Sequence, residues 1–154
     1  MSNPGHPETN DLILANVSHL HRTRIHQLLE TLELYQGQPP VLRELWKQEG
    51  LTQSELASRL KITPATVTRM LQRMEKTGFI RREPDPDDQR VTRVFLTGAG
   101  RAVQEQVECV FRTLEAETFA GLDLEELSLL RGLLLRLREN LLRVTGEEPW
   151  KPQL

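Results

Sequence analysis

Apolar residues recur every three or four positions along most of the chain, the spacing of helices that bury one face. Leu12, Val17, Leu20, Ile25, Leu28, Leu29 and Leu32 predict a long first helix from Asp11 to near Tyr35-Gln36-Gly37. Gln38-Pro39-Pro40 opens a second, with Val41, Leu42, Leu45 and Trp46 on its apolar side. Thr52 and Glu55 form a capping box that starts a third, whose apolar residues are Leu51, Leu56, Ala57 and Leu60. Gln53, Ser54, Ser58 and Arg59 take its wet side, and it stops near Lys61-Ile62. Thr63 then caps a fourth, with Pro64 at the first helical position, where its missing N–H is harmless. Val67, Met70, Leu71 and Met74 face the core, and Gly78 ends the helix in left-handed geometry.

The pattern then changes. Phe79 to Glu83 and Arg90 to Leu96 predict two strands of a ribbon. Between them, Pro84-Asp85-Pro86-Asp87-Asp88-Gln89 is a turn, because prolines among aspartates cannot sit in a strand interior. Thr97 caps a further helix that keeps its period through Ala102, Val103, Val107, Val110, Phe111 and Leu114 to about Ala120. Gly121-Leu122 breaks it, and Asp123 with Glu126 makes a second capping box. Leu127, Leu130, Leu134, Leu137 and Leu141 then form a stripe, flanked by Leu133 and Leu142. Residues 1 to about 9 and 145 to 154 are expected to be a loose lead and tail. The fold class is mainly α with a small β-ribbon.

The stretch from Leu51 to Leu96, two short helices, a tight turn and a ribbon with a charged tip, suits DNA. Ala65, Thr68, Arg69, Gln72 and Lys76 lie opposite the apolar face of the fourth helix, flanked by Thr66 and Arg73. Short side chains at the start let a helix approach base edges; threonine contacts a base or the thymine methyl, glutamine pairs with adenine, and arginine forks onto guanine or holds a phosphate. An ordinary solvated face would carry similar residues. Arg90 near the ribbon tip suits a narrow minor groove, with Asp88 two residues earlier to aim its guanidinium by a bidentate pair. The plainer reading of that pair is a surface contact of little energetic worth.

Composition bears on this in three ways. The 154 residues make one domain, or a small domain with an added helical part, and at 38% hydrophobic content the leucine stripe fits a seam between subunits better than one small core. The net charge of −2 is wrong for DNA, yet Leu51 to Arg82 holds seven basic residues against Glu55 and Glu75, and 103–154 holds six against ten acidic ones. A module of +5 beside one of −4 provides local phosphate attraction. Glu83, Asp85, Asp87 and Asp88 oppose it unless Arg81, Arg82, Arg90 and Arg93 offset them. The lone Cys109 suits a reducing cytoplasm, and no apolar run approaches the roughly 18 residues of a membrane span. The first residues do not read as a signal peptide. There is no Gly-rich phosphate loop, no G-x-S-x-G and no acid–base cluster, so no enzyme and no cofactor is expected. His6, His19, His21 and His26 show no metal-ligand spacing beyond His19 and His26, seven apart, and are read as surface or structural.

The run from Thr52 to Thr97 resembles the winged helix-turn-helix of the MarR family of bacterial transcription regulators. TPATVTRMLQRMEKTGFIRR is similar to the family's recognition helix and its exit into the wing. The wing pattern D-x-R-x-x-x-V-x-L-T-x-x-G is matched by Asp88, Arg90, Val94, Leu96, Thr97 and Gly100; Gln89 stands where the family usually has a basic residue. The resemblance implies a division into an N-terminal dimerisation helix (1–37), a winged DNA-binding unit (38–97), and C-terminal dimerisation helices with a tail (98–154). It also implies that the first and last helices entwine, with Leu12, Leu20, Leu127, Leu130, Leu134, Leu137 and Leu141 in the interface. Thr63, Pro64, Ala65, Thr66, Thr68, Arg69, Gln72, Arg73, Lys76, Asp88 and Arg90 are then the DNA-binding set. Small aromatic or anionic effectors would bind between the dimer helices and the winged unit, where His19, Arg22, Trp46 and Phe111 are candidates. Some members sense zinc, and peroxide-sensing members carry their cysteine near the first helix, where this chain has none. The expectation is a homodimeric, cytoplasmic repressor, less often activator, that reads a pseudo-palindromic operator and is released or modulated by an effector. The alternative is a winged helix used for protein contacts.

Overall fold

The computed structural model describes residues 8–35 and 37–149. The element order is α1 (Asn10–Glu30), α2 (Gln38–Lys47), β1 (Leu51–Thr52), α3 (Gln53–Leu60), α4 (Pro64–Lys76), β2 (Ile80–Pro84), β3 (Thr92–Leu96), α5 (Gly98–Ala102), α6 (Gln104–Thr118) and α7 (Leu124–Thr145). The expected lead and tail lie partly outside the described residues, and His6 and Gln36 lie outside them.

Local capping chemistry starts the helices where the sequence places it. Thr52 accepts from the Glu55 backbone N–H while Glu55 accepts from that of Thr52, and Asp123 with Glu126 does the same for α7. Thr63 caps α4 through the Thr66 N–H, and Thr97 caps α5 through that of Gly100.

Four boundaries depart from expectation. α1 ends at Glu30, well short of Tyr35, in a Schellman turn: Leu34 N–H donates to Leu29 O (3.1 Å) and Glu33 N–H to Glu30 O (3.0 Å). Glu33 holds the left-handed position (φ 59°), where glycine is usual, and Leu29 and Leu34 both bury, so the apolar period runs through the break. The helix expected from Thr97 to Ala120 is two, divided at Val103, and α6 ends at Thr118. The first ribbon strand is shifted by one, to Ile80–Pro84 in place of Phe79 to Glu83, so that Pro84 leaves the expected turn, and the second is shorter, starting at Thr92 in place of Arg90. Finally, Leu51, expected on the third helix, belongs to β1, which makes the ribbon a three-stranded antiparallel sheet of order β1-β3-β2. Leu51 pairs with Val94, and β2 pairs with β3 from Ile80↔Leu96 to Pro84↔Thr92. Pro84 is tolerated because β2 is an edge strand.

The core belongs to the winged unit. Leu42, Leu45, Leu51, Leu56, Val67, Leu71, Met74, Ile80 and Val94 are fully buried, and Val107 and Val110 extend the cluster into α6. The N-terminal half of α1 and all of α7 stand outside it: α7 has no buried residue, Leu20 is 57% exposed and Leu124 85%. Arg24 grips Glu117 with a two-point fork (2.6 and 2.7 Å), tying α1 to α6.

Among the described glycines, Gly100 leaves the least room for a side chain. A Cβ there would lie 2.0 Å from the Phe79 carbonyl oxygen, and the Gly100 carbonyl itself accepts from the Trp46 indole N–H at 2.8 Å. Gly100→Ala should therefore destabilise the fold by about 2–3 kcal/mol, the range of an overpacked core. Gly98→Ala, which meets open space, should stay within about 0.5 kcal/mol of wild type. Urea denaturation of both variants checks the difference, and equal midpoints would contradict it.

Candidate nucleic-acid interface

The outer face of α4 emerges from its core-facing residues. Val67, Leu71 and Met74 are buried and Met70 half-buried, which leaves Ala65, Arg69, Gln72 and Lys76 in solvent. Arg73 is exposed on one flank beside half-buried Thr66, and half-buried Thr68 lies on the other. Thr63 and Pro64 are exposed at the helix start. The Thr63 and Thr66 hydroxyls lie 2.8 Å apart. The Thr68 hydroxyl donates to the Pro64 carbonyl (3.0 Å) and accepts from Gln53 Nε2 (3.4 Å).

The sheet is braced against this helix by charge. Glu75 of α4 accepts from Arg82 at its backbone N–H (3.2 Å), Nε (3.1 Å) and Nη2 (2.7 Å). Arg81 packs over the Phe95 ring, 4.7 Å from its centroid, and pairs with Glu83. At the wing tip the carboxylate in control is Asp85, one of the acids counted as repelling phosphate. It is buried, pairs with Arg93 through one oxygen, and with the other accepts the N–H groups of Asp87 (2.8 Å) and Asp88 (3.1 Å). Arg93 also donates to the Gly50 carbonyl at 2.8 Å.

The expected bidentate pair between Asp88 and Arg90 is not formed. Asp88 Oδ1 accepts from the Arg90 backbone N–H (3.0 Å), so it shapes the turn and leaves the Arg90 guanidinium exposed and without a partner among the described residues. A carboxylate two residues before an N–H closes a local turn, which places it against the backbone and away from the longer side chain.

A division among the cations follows. Residues 38–97 contain eleven Lys and Arg. Lys47, Arg59, Lys61, Arg81, Arg82 and Arg93 are held by ion pairs, and Arg43 lies over the Phe111 ring. Among the described residues the four that make neither contact are Arg69, Arg73, Lys76 and Arg90, three on the outer side of α4 and one at the wing tip.

The candidate effector residues are not assembled in the same way. His19 and Arg22 are exposed on α1, and Trp46 gives its N–H to Gly100. Neither the groove of about 610 Å³ along α7 nor the recess of about 370 Å³ lined by His26, Glu30, Leu34, Tyr35 and Arg73 contains any of the four. Phe111 does meet a cation, Arg43, at 5.8 Å from the ring centroid. Arg43 Nη1 is buried with no hydrogen-bond partner among the described residues, and burial is the main reason its pKa is lowered. Periodicity did not single out Arg43, which interrupts the apolar residues of α2, or Gln53, whose partners are distant in sequence. Cys109 is exposed, and among the described residues no three His, Cys, Asp or Glu side chains converge as a metal site. No described helix is long and apolar enough to cross a membrane.

The family model for MarR matches residues 34–92. The chain is 37% identical over 114 residues to the HTH-type transcriptional regulator TtmR of Methylorubrum extorquens, a match covering 74% of this chain and 57% of that protein. It is 30% identical over 115 residues to YwaE of Bacillus subtilis, an uncharacterised HTH-type transcriptional regulator, covering 75% of this chain and 67% of the relative. The chain belongs to the MarR family of winged helix-turn-helix regulators. Among solved structures, the reduced form of MarR from E. coli superposes with a TM-score of 0.68 at 26% identity, covering 86% of this chain and 98% of that one. A single-residue mutant of MepR from S. aureus, bound to an oligodeoxyribonucleotide, gives 0.65 at 28% identity, covering 88% and 99%. The TtmR match spans little more than half of that relative's length.

The paired carboxylates set a pH dependence. Hydrogen bonds from Arg93 hold Asp85 below its ordinary pKa, and those from Arg82 do the same for Glu75. Burial pushes Glu44 up, but its bonds to Lys47 and Arg59 outweigh that and the net direction is down. A depressed carboxylate contributes stability that is complete above its unfolded pKa and is lost as pH falls through the folded one. The stability of the fold should therefore be level from about pH 7 to pH 5 and fall below about pH 4, where unfolded Asp and Glu take up protons. Glu75→Gln should flatten part of that fall; chemical melts across pH measure it, and an unchanged profile would show that the Arg82 pair contributes nothing.

Proposed function

We propose that this MarR-family chain is a homodimeric repressor that acts in the cytoplasm on a pseudo-palindromic DNA operator and is released by a small aromatic or anionic effector. The observation that carries the reading is the cation division: the winged unit has its other basic side chains held in ion pairs or, for Arg43, over an aromatic ring, and leaves Arg69, Arg73, Lys76 and Arg90 unpaired among the described residues, all on the outer side of the recognition helix or at the wing tip. Counterion release by such groups supplies sequence-independent affinity. Arg69, Gln72, Thr66 and Thr68 read base edges, Thr63, Pro64 and Ala65 allow the close approach, Arg73 and Lys76 hold phosphates, and Arg90 enters the minor groove with Asp88 fixing its turn. The MepR mutant bound to an oligodeoxyribonucleotide supports this use of the fold.

Exposed leucines argue for the dimer. Leu12, Val17 and Leu20 of α1 and Leu124, Leu129, Leu134, Leu137, Leu141 and Val144 of α7 are exposed, and clustered exposed apolar side chains of this kind mark an interaction surface. Leu127 and Leu130 are half-buried beside them. A second copy covers both faces, so residues 1–37 and 98–154 act as the dimerisation region around the 38–97 unit. A two-fold axis then sets the recognition helices about 34–36 Å apart, one turn of DNA.

Binding to the chain's own promoter region and to random duplex across a salt series tests the reading. Site-selective binding by two chains, with a steep salt slope, is expected; Arg73→Ala and Lys76→Ala should each lower the slope by about 1. Arg90→Ala should weaken sites with A·T-rich flanks most, and equal loss on all flanks would remove its minor-groove role. A flat salt slope would overturn the DNA reading.

Arg43 supports the effector part. A buried, unpaired guanidinium N–H beside an aromatic ring is poorly satisfied without an acceptor, and an aromatic carboxylate supplies both an oxygen and a stacking plane. Calorimetry with salicylate-like acids should show heat that Arg43→Met abolishes. Absence of heat with all of them would exclude that ligand class.

A further inference from the structure

Thr68 occupies an unusual place among the base-facing residues, because its hydroxyl is already engaged on two sides. A chain of hydrogen bonds runs into it from the wing. Glu75 fixes Arg82 by three bonds; Arg82 Nη1 lies 3.5 Å from Gln53 Oε1; Gln53 Nε2 lies 3.4 Å from Thr68 Oγ1; and Thr68 Oγ1 is 3.0 Å from the Pro64 carbonyl. The direction of every link is forced. A guanidinium only donates, so the Gln53 amide must turn its oxygen to Arg82 and its NH₂ to Thr68. Thr68 must then accept from Gln53, and its single hydrogen goes to the Pro64 carbonyl. What remains toward solvent is one lone pair and the methyl group.

We propose that Gln53 sets the hydrogen-bond polarity of Thr68, so that α4 presents this residue to DNA as an acceptor and a methyl group and thereby rejects guanine at the base it meets. The inference rests on the reading above that the outer face of α4 enters the major groove. There, guanine shows only acceptors, N7 and O6, whereas adenine and cytosine show amino donors and thymine a methyl. An acceptor-only Thr68 meets guanine with two lone pairs face to face. The Pro64 carbonyl alone would not enforce this, because threonine in a helix has a second χ1 rotamer in which the hydroxyl leaves the backbone and is free to donate. The bond from Gln53 holds the first rotamer. Gln53 is thus a positioning residue for specificity, and the brace that orients it belongs to the wing.

Operator selection from randomised duplex, with the full chain and its Thr68→Val, Gln53→Met and Gln53→Ala variants, decides the matter. Thr68→Val identifies the base position, since only that preference should vanish. At that position the wild type should disfavour guanine on the order of five- to tenfold against the preferred base. Both Gln53 variants should recover guanine to within about twofold while their affinity for random duplex stays unchanged; thermal melts confirm that they fold. Wild-type preference for guanine at that position, or exclusion that persists in both Gln53 variants, would overturn the proposal while leaving Thr68 in the groove. No change at any position in Thr68→Val would remove Thr68 from the groove, and the proposal with it.

Discussion

The close approach of Gly100 to the Phe79 carbonyl is the constraint around which the winged unit closes. Within four residues, the chain leaves β3, caps α5 and receives α2. Thr97 N–H donates to the Phe79 carbonyl at 3.0 Å, the Thr97 hydroxyl donates to the Gly78 carbonyl, and the Gly100 carbonyl takes the Trp46 indole. The exit of α4 is held at the same place, through a Schellman turn in which Phe79 N–H reaches back to Met74 and Gly78 takes the left-handed position. The recognition helix, the sheet and the helices beyond α5 are therefore referred to one point. A side chain at residue 100 would push the Phe79 carbonyl away and move all three, so the space between backbones matters here more than any side-chain contact.

Charge is organised by the same geometry. The wing arginines would add to DNA attraction if free, yet most are tied to carboxylates, of which Asp85 is buried and is compensated by its pair with Arg93. Of these pairs, Arg82–Glu75 holds the wing against α4, while Arg81–Glu83 and Arg93–Asp85 lie within the wing. Within the winged unit, four cations among the described residues remain for a partner, so a chain of net charge −2 can still carry the proposed phosphate-binding face: the useful charge is the unpaired charge, and the total is a poor guide to it.

Local chemistry made much of this fold legible beforehand. The Thr52–Glu55 and Asp123–Glu126 boxes, the Thr63 and Thr97 caps and the glycine at 78 depend on residues within four positions, and each starts or stops its element as expected. Features that depend on distant partners were not legible. β1 is two residues long and exists only because β3 lies beside it. The early end of α1 is masked by Glu33 in a glycine-like conformation and by Leu34, which keeps the apolar period while leaving the helix. At the wing tip, the ladder from Ile80↔Leu96 to Pro84↔Thr92 carries the chain into a turn in which Asp85 meets Arg93, eight residues away. Spacing alone favoured Asp88 for the salt bridge, two residues from Arg90. The outer face of α4 was legible because a helix that buries Val67, Leu71 and Met74 must expose Arg69, Gln72 and Lys76; the state of the Thr68 hydroxyl was not, since Gln53 is fifteen residues away.

The two exposed apolar faces connect these observations to control. α1 begins outside the core, among exposed leucines that a second copy covers in the proposed dimer, and it joins the core through Leu29 near its end and Leu34 in the turn after it. α6 makes the same passage from the other side, its buried Val107 and Val110 in the core and its far end tied by Glu117 to Arg24 of α1. In the proposed dimer each helix therefore links the winged unit to the part of the chain that meets the second copy. Arg43 lies on α2 and reaches over Phe111 of α6, at a contact between the winged unit and a helix that leads away from it. In the proposed effector response, a ligand that satisfies its orphan N–H would change the packing at this contact, and a small rotation there would matter at the recognition helices because the groove spacing of DNA tolerates little error. Coupling of this kind needs no deformation of the recognition helix itself, which the Glu75–Arg82 brace holds as a body with its wing.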